Sequence, residues 1–153
     1  MSAEARLTEL GIELPTPFAP AGAYVPVVVA GGMAYVSGQG PIGDGRGITG
    51  KVGADVDLAT AREAARLCGL QILAALRAEL GSLDRVTRVV KVLGMVNCAP
   101  GFNDTPSVVD GCSELLVEVF GDAGRHARSA VGMAELPFDI SVEIELVAEV
   151  APV

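Results

Sequence analysis

A chain of 153 residues, half of them apolar and carrying a net charge of −8, is one domain's worth of sequence with room for a core that needs no staples. The negative balance excludes a nucleic-acid backbone as the partner of most of its surface, and no apolar run nears the ~18 residues of a membrane span. Three widely spaced cysteines, Cys68, Cys98 and Cys112, form no CxxC pair and read as reduced thiols of a cytoplasmic protein.

The opening residues, MSAEARLTELG, are charged and lack the apolar stretch of a signal peptide. They predict a short helix over 3–10, within an extension of about 20 residues that ends in the irregular LPTPFAPAG. YVPVVVAGGMAYVSG predicts a hairpin turning at Gly31-Gly32. GQGPIGDGRGITG is a loop with a short strand near Ile48. A long helix follows over 58–80, capped by Asp57 or Thr60, with Thr60-x-x-Glu63 in capping-box form and Ala64, Leu67, Cys68, Ile72, Ala75 and Leu76 as its apolar stripe. GSLDR turns into the strand TRVVKVLGMVN, and NCAPGFNDTP is a long loop. Pro106 opens a second helix that Gly121 stops after Phe120. Two strands, 127–133 and 140–150, finish the chain.

In the last strand Val142, Ile144, Leu146, Ala148 and Val150 alternate with Glu143, Glu145 and Glu149. Period 2 gives it one aliphatic and one acidic face. The order β-β-α-β-α-β-β predicts an α+β fold, one mixed sheet with two helices on one face. Water or another subunit meets the other face. A mean hydropathy of +0.47 with only 4% aromatic residues is high for a small monomer and favours a subunit interface.

A hairpin of the last two strands turning at Glu135-Leu136 sets Arg128 opposite Glu143 on one face. That pair is either an exposed salt bridge worth little or, if enclosed, a small kit for hydrolysis. A guanidinium fork suits a substrate carboxylate, and a nearby carboxylate can hold a water. Other signals are weaker. GQGPIG matches GxGxxG, but Pro41 and DGRG stand where a dinucleotide site needs a helix. His126, the only histidine, has no partner at metal-ligand spacing and reads as a polar strand-edge residue. Cys68 belongs to the core, whereas Cys98 and Cys112 sit in or beside a loop, open to solvent, with no base nearby in sequence.

Three stretches, YVSGQGPI, GDAGRHARSAVG and LPFDISVEIELVAEV, resemble the RidA (YjgF/YER057c/UK114) family of enamine/imine deaminases. The Arg-Ser-x-Val…Leu-Pro…Val-Glu-Ile-Glu run is the most specific part. The resemblance covers about residues 20–150 and makes 1–153 a single RidA-like domain of the longer branch, with 1–20 as its N-terminal extension. It implies a chorismate-mutase-like fold and a homotrimer with clefts between subunits, the non-helical sheet faces turned inward. It implies that Arg128 binds the substrate carboxylate, that Glu143 positions water, and that Gly38 and Tyr24 line the pocket. Ala23 replaces the proline of the family's Gly-Pro-Tyr. Ala130 stands where many members have cysteine, and Ser113 where a helix asparagine is common. The implied activity is hydrolysis of 2-imino acids to 2-oxo acids and ammonia, without cofactor or metal and without nucleic-acid or membrane partners. Two other readings use the same fold. One is a non-catalytic trimer that binds small carboxylates through Arg128. The other is the ribonuclease of an older family name, which the lack of a basic stripe or stacking aromatics disfavours.

Overall fold

Aliphatic residues at every second position of one strand, and at helical spacing along two helices, require a sheet with helices on one side. The computed structural model describes residues 1–43 and 45–152 and has that form. Among the described residues three α-helices, α1 (Ala3–Leu10), α2 (Leu58–Leu80) and α3 (Thr105–Phe120), accompany seven strands. These are β1 (Val27–Ala30), β2 (Met33–Gln39), β3 (Ile42–Gly43), β4 (Arg46–Gly47), β5 (Val86–Asn97), β6 (Ala127–Met133) and β7 (Val142–Val150). The main sheet has the order β1-β2-β7-β5-β6, and β3 and β4 form a separate two-stranded ribbon.

Element boundaries follow local chemistry. Gly31 and Gly32 take φ of 58° and 77°, the left-handed pair that a tight hairpin needs, and β1 pairs with β2 across them. Asp57 caps α2 by accepting from the Thr60 amide at 2.8 Å, so Thr60 lies inside the helix and the capping-box alternative is not used. Pro106 sits in the first turn of α3, and Gly121 ends it. α1 is tied down by Glu4, which accepts from Arg77 Nη2 at 2.6 Å, Arg77 Nε at 3.1 Å and the Leu83 amide at 3.0 Å.

The even-numbered residues of β7, Val142 to Val150, are buried under the helices, and Glu143, Glu145, Val147 and Glu149 face away. Cys112, expected near solvent, is fully buried between α2 and α3, and Cys98 is partly buried. The face away from the helices leaves Tyr35 and Val131 exposed. A shallow concavity of about 410 Å³ on that face is lined by Tyr35, Lys91, Leu93, Ser129, Glu145 and Val147.

The expected hairpin of the last two strands is overturned. β6 pairs with β5 in parallel, Val92 beside Arg128, and β5 pairs with β7 antiparallel, Met95 beside Glu143. β5 thus lies between β6 and β7. The physical reason is α3: a helix between two strands returns the chain to the same end of the sheet, and the strands pair in parallel.

The seat of α3 depends on two glycines. A Cβ on Gly94 would fall 2.4 Å from Val109, and one on Gly111 only 2.0 Å from the Arg62 carbonyl oxygen of α2. The second obstacle is backbone and cannot swing aside. Gly111→Ala is therefore expected to destabilise the protein by about 3 kcal/mol through overpacking, read as a lower urea midpoint. Unchanged stability would mean that α2 and α3 do not approach this closely.

Candidate functional site

Two separate groups of polar side chains stand out, one on each side of the sheet. The first surrounds Glu143. β2 departs from regular register against β7 between Val36 and Gln39, a bulge of the kind that re-aims side chains beside functional sites. Gly38 lies in this bulge against the Glu143 side chain, and a Cβ there would be 2.2 Å from Oε1. Only glycine leaves the carboxylate where it is. The preceding segment is docked on β2 by Ser37, whose amide and hydroxyl donate to the Pro26 and Val25 carbonyls, both at 2.8 Å. That brings Tyr24 to the same place. The result is a cavity of about 270 Å³ whose lining includes Phe18, Tyr24, Gly38, Phe138, Ile140 and Glu143. Its size suits a ligand of amino-acid dimensions better than a nucleotide.

Glu143 is half-buried there, and no donor among the described residues reaches its carboxylate. Burial pushes its pKa above the ordinary carboxylate value, with a smaller push from the Glu145 charge. A partly desolvated carboxylate without an internal partner can hold and deprotonate a water.

The second group surrounds Arg128, on the helix side of edge strand β6. Its Nη1 donates to Asp110 Oδ1 at 2.7 Å and Ser113 Oγ at 3.1 Å, and its Nη2 to the Pro106 carbonyl at 3.3 Å. Asp110 and Ser113 are one turn apart on α3, so the helix grips the guanidinium from one side. Five N–H groups are available. Those on Nε and the second on Nη2 find no acceptor among the described residues, which leaves donors for an external carboxylate.

His126 continues this network. Its Nδ1 lies 2.7 Å from the Gly124 carbonyl, and its Nε2 lies 2.9 Å from Ser113 Oγ. A carbonyl only accepts, so Nδ1 carries the proton and Nε2 accepts from the Ser113 hydroxyl. Ser113 Oγ is then free to accept from Arg128. Burial holds the His126 pKa below its ordinary value, the positive Arg128 pushes the same way, and the Gly124 contact opposes them. The ring is neutral at neutral pH, which keeps the chain of hydrogen bonds in one direction.

Of the residues singled out in the sequence, Tyr24, Gly38 and Glu143 share one cavity, and Arg128 stands apart. The Arg128 and Glu143 backbones are separated by two strand spacings and three residues of register, roughly 14 Å. Their side chains leave opposite faces. The directly opposed pair expected from a hairpin is therefore not formed within one chain. Sequence reasoning missed Asp110 and Phe138. Asp110 had a signal, its position one turn before Ser113 on a helix that follows the strand pairing with β6. Phe138 had none, because nothing in Leu-Pro-Phe-Asp announces an outward-facing ring. Among the described residues no group of three or more His, Cys, Asp or Glu side chains is placed to hold a metal ion.

Comparison with known proteins gives a consistent result. Residues 4–150 match the model of a family described as "YjgF/chorismate mutase-like, putative endoribonuclease". Protein TCP17 of Trypanosoma cruzi is 46% identical over 147 residues, covering 95% of this chain and 92% of the relative. The crystal structure of protein Atu1372 from Agrobacterium tumefaciens, of unknown function, is 46% identical with a TM-score of 0.90 and covers 97% of this chain and 92% of its own. Escherichia coli TdcF, solved with bound serine, is 27% identical with a TM-score of 0.62 over 89% of this chain and 94% of its own.

The Gly38–Glu143 contact makes a direct prediction. In Gly38→Ala the obstacle is the mobile end of a side chain, so the fold should survive while the carboxylate is displaced. Ligand binding or turnover in this cavity should fall by at least about tenfold with little change in thermal midpoint. A variant of wild-type activity would show that the position of Glu143 is not functional.

Proposed function

We propose that this chain, which belongs to the YjgF/chorismate mutase-like family, is an enamine/imine deaminase of the cytoplasm. Its substrate is a 2-imino acid, and its site is completed between copies in a homotrimer. The observation that carries this reading is the convergence of Tyr24, Gly38 and Glu143 on one small cavity while Arg128, with N–H groups to spare, is held elsewhere. A substrate with a carboxylate one bond from its imine carbon cannot span roughly 14 Å. It can touch both groups if Arg128 of one copy faces the Glu143 cavity of the next. The sheet face away from the helices, mixed in character with Tyr35, Leu93 and Val147 beside Lys91 and Glu145, supplies the surface for such an association.

In this mechanism Arg128 takes the substrate carboxylate through its unused N–H groups and fixes the orientation of the C=N bond. Glu143 holds a water and accepts its proton as the oxygen adds to the imine carbon. The C=N electron pair moves to nitrogen, which takes up a proton. The amino group of the resulting carbinolamine takes up a second proton, the one Glu143 accepted from water. The C–N bond breaks as ammonia leaves with that pair, and the hydroxyl proton is lost to give the 2-oxo acid. The raised pKa of Glu143 makes it a better base when ionised, so activity falls with acidification at a pH above the ordinary carboxylate range. Serine bound to TdcF supports a site for a small amino-acid-like molecule. It is equally compatible with a trimer that binds such molecules without turning them over.

The test generates 2-iminopropanoate and 2-iminobutanoate in situ with an amino acid oxidase and traps them with semicarbazide. The wild-type protein is expected to divert the imine from the trap. Arg128→Ala and Glu143→Gln should each lose at least about 100-fold of that activity. A folded oligomer that binds a small carboxylate saturably but diverts no imine would favour the binding protein and reject the deaminase.

A further inference from the structure

One wall of the Glu143 cavity is built at a conformational cost. Phe138 and Asp139 take φ of 57° and 56° in succession, a left-handed pair without a glycine, unfavourable for any L residue. Several bonds hold the turn from beneath. Asn97, fully buried, donates through Nδ2 to Asp139 Oδ1 at 3.0 Å and the Ile140 carbonyl at 3.1 Å. Its own Oδ1 accepts from Lys51 Nζ at 2.8 Å. The Gly50 amide donates to the Asp139 carbonyl at 2.8 Å.

The turn turns the Phe138 ring outward. Phe138 is 85% exposed and stands on the rim of the cavity that holds Glu143, with Phe18 and Pro20 in the same lining. Nothing in the packing of a single chain rewards an exposed phenylalanine on a strained backbone. Strain maintained by a buried polar anchor points to a role for the group it presents. The cavity accordingly has a carboxylate at Glu143 and, elsewhere in its wall, an aromatic surface with no formal charge.

We infer that Phe138 is a specificity-determining residue which, with Phe18, forms an apolar clamp for the substrate side chain. The site then prefers 2-imino acids with bulky branched or aromatic side chains over 2-iminopropanoate. This inference rests on the deaminase reading and goes beyond it by naming the substrate class. Among the described residues Glu143 is the only formally charged one in the lining, so none of them would accept an anionic side chain. A cationic side chain would have to lie along the rings.

The experiment compares imines made by the oxidase from alanine, leucine, phenylalanine and arginine, with wild type, Phe138→Ala and Phe138→Leu checked for oligomeric state. Wild type is expected to favour the leucine and phenylalanine imines over the alanine imine by about tenfold or more in kcat/KM, with the arginine imine poor. Phe138→Ala should collapse that preference toward unity, chiefly through KM, and Phe138→Leu should retain most of it. Equal losses on every imine, a wild-type preference for the alanine or arginine imine, or dissociation of the Phe138→Ala oligomer would each overturn the clamp. The last would make Phe138 a contact between copies. Failure of wild type to consume any imine is a separate result. It would remove the deaminase reading, and the inference would fall with it.

Discussion

The parallel pairing of β5 with β6 across α3 is the constraint on which the rest depends. Because α3 returns the chain to the same end of the sheet, β6 takes the outer place beside β5, and β7 must enter on the other side, between β5 and β2. Arg128 then lies under α3, where Asp110 and Ser113 can grip it. Glu143 lies two strands further on, where the bulge of β2 and Gly38 make room for it. The close seat of α3 on Gly94 and the Arg62 backbone is thus more than packing, since it sets where the guanidinium points.

The two polar groups differ in electrostatic preparation. Arg128 is partly neutralised by Asp110, which steadies it and leaves other N–H groups outward. Among the described residues Glu143 has no such partner, and it is half-desolvated, which raises its pKa. An ion pair between them in one chain would have cancelled both properties. On the proposed reading, separation onto opposite faces lets one group bind an anion while the other stays available as a base. It also makes each copy incomplete alone, in keeping with the apolar residues left on the sheet face that the helices do not cover.

Much of the fold was legible in the residues. Helix caps at Asp57 and Gly121, the Gly31-Gly32 turn and the period of 142–150 are local signals, and local signals mark where elements begin and end. The neighbours of β6 are not legible by that route, because local signals alone pair two strands adjacent in sequence. The strand-helix-strand order of 86–133 carried the opposite message, since such connections run parallel. Family resemblance groups Tyr24, Gly38, Glu143 and Arg128; within one chain the first three line one cavity and Arg128 does not. The isolation of Arg128, the grip of Asp110 and the outward turn of Phe138 depend on tertiary placement. The Phe138 turn breaks the local rule that left-handed positions go to glycine, and such breaks are expected at sites where function rather than stability chose the residue.

The central claim is that a working site needs Arg128 from one copy and Glu143 from another. It is tested most directly by subunit mixing. Arg128→Ala and Glu143→Gln proteins, each inactive, are dissociated together and allowed to reassemble. If sites form between copies around a closed ring, random mixing restores about a quarter of the wild-type activity, because that share of interfaces joins two intact partners. No recovery, in mixtures shown to contain hybrid oligomers, would contradict the account and require both residues to act within one chain.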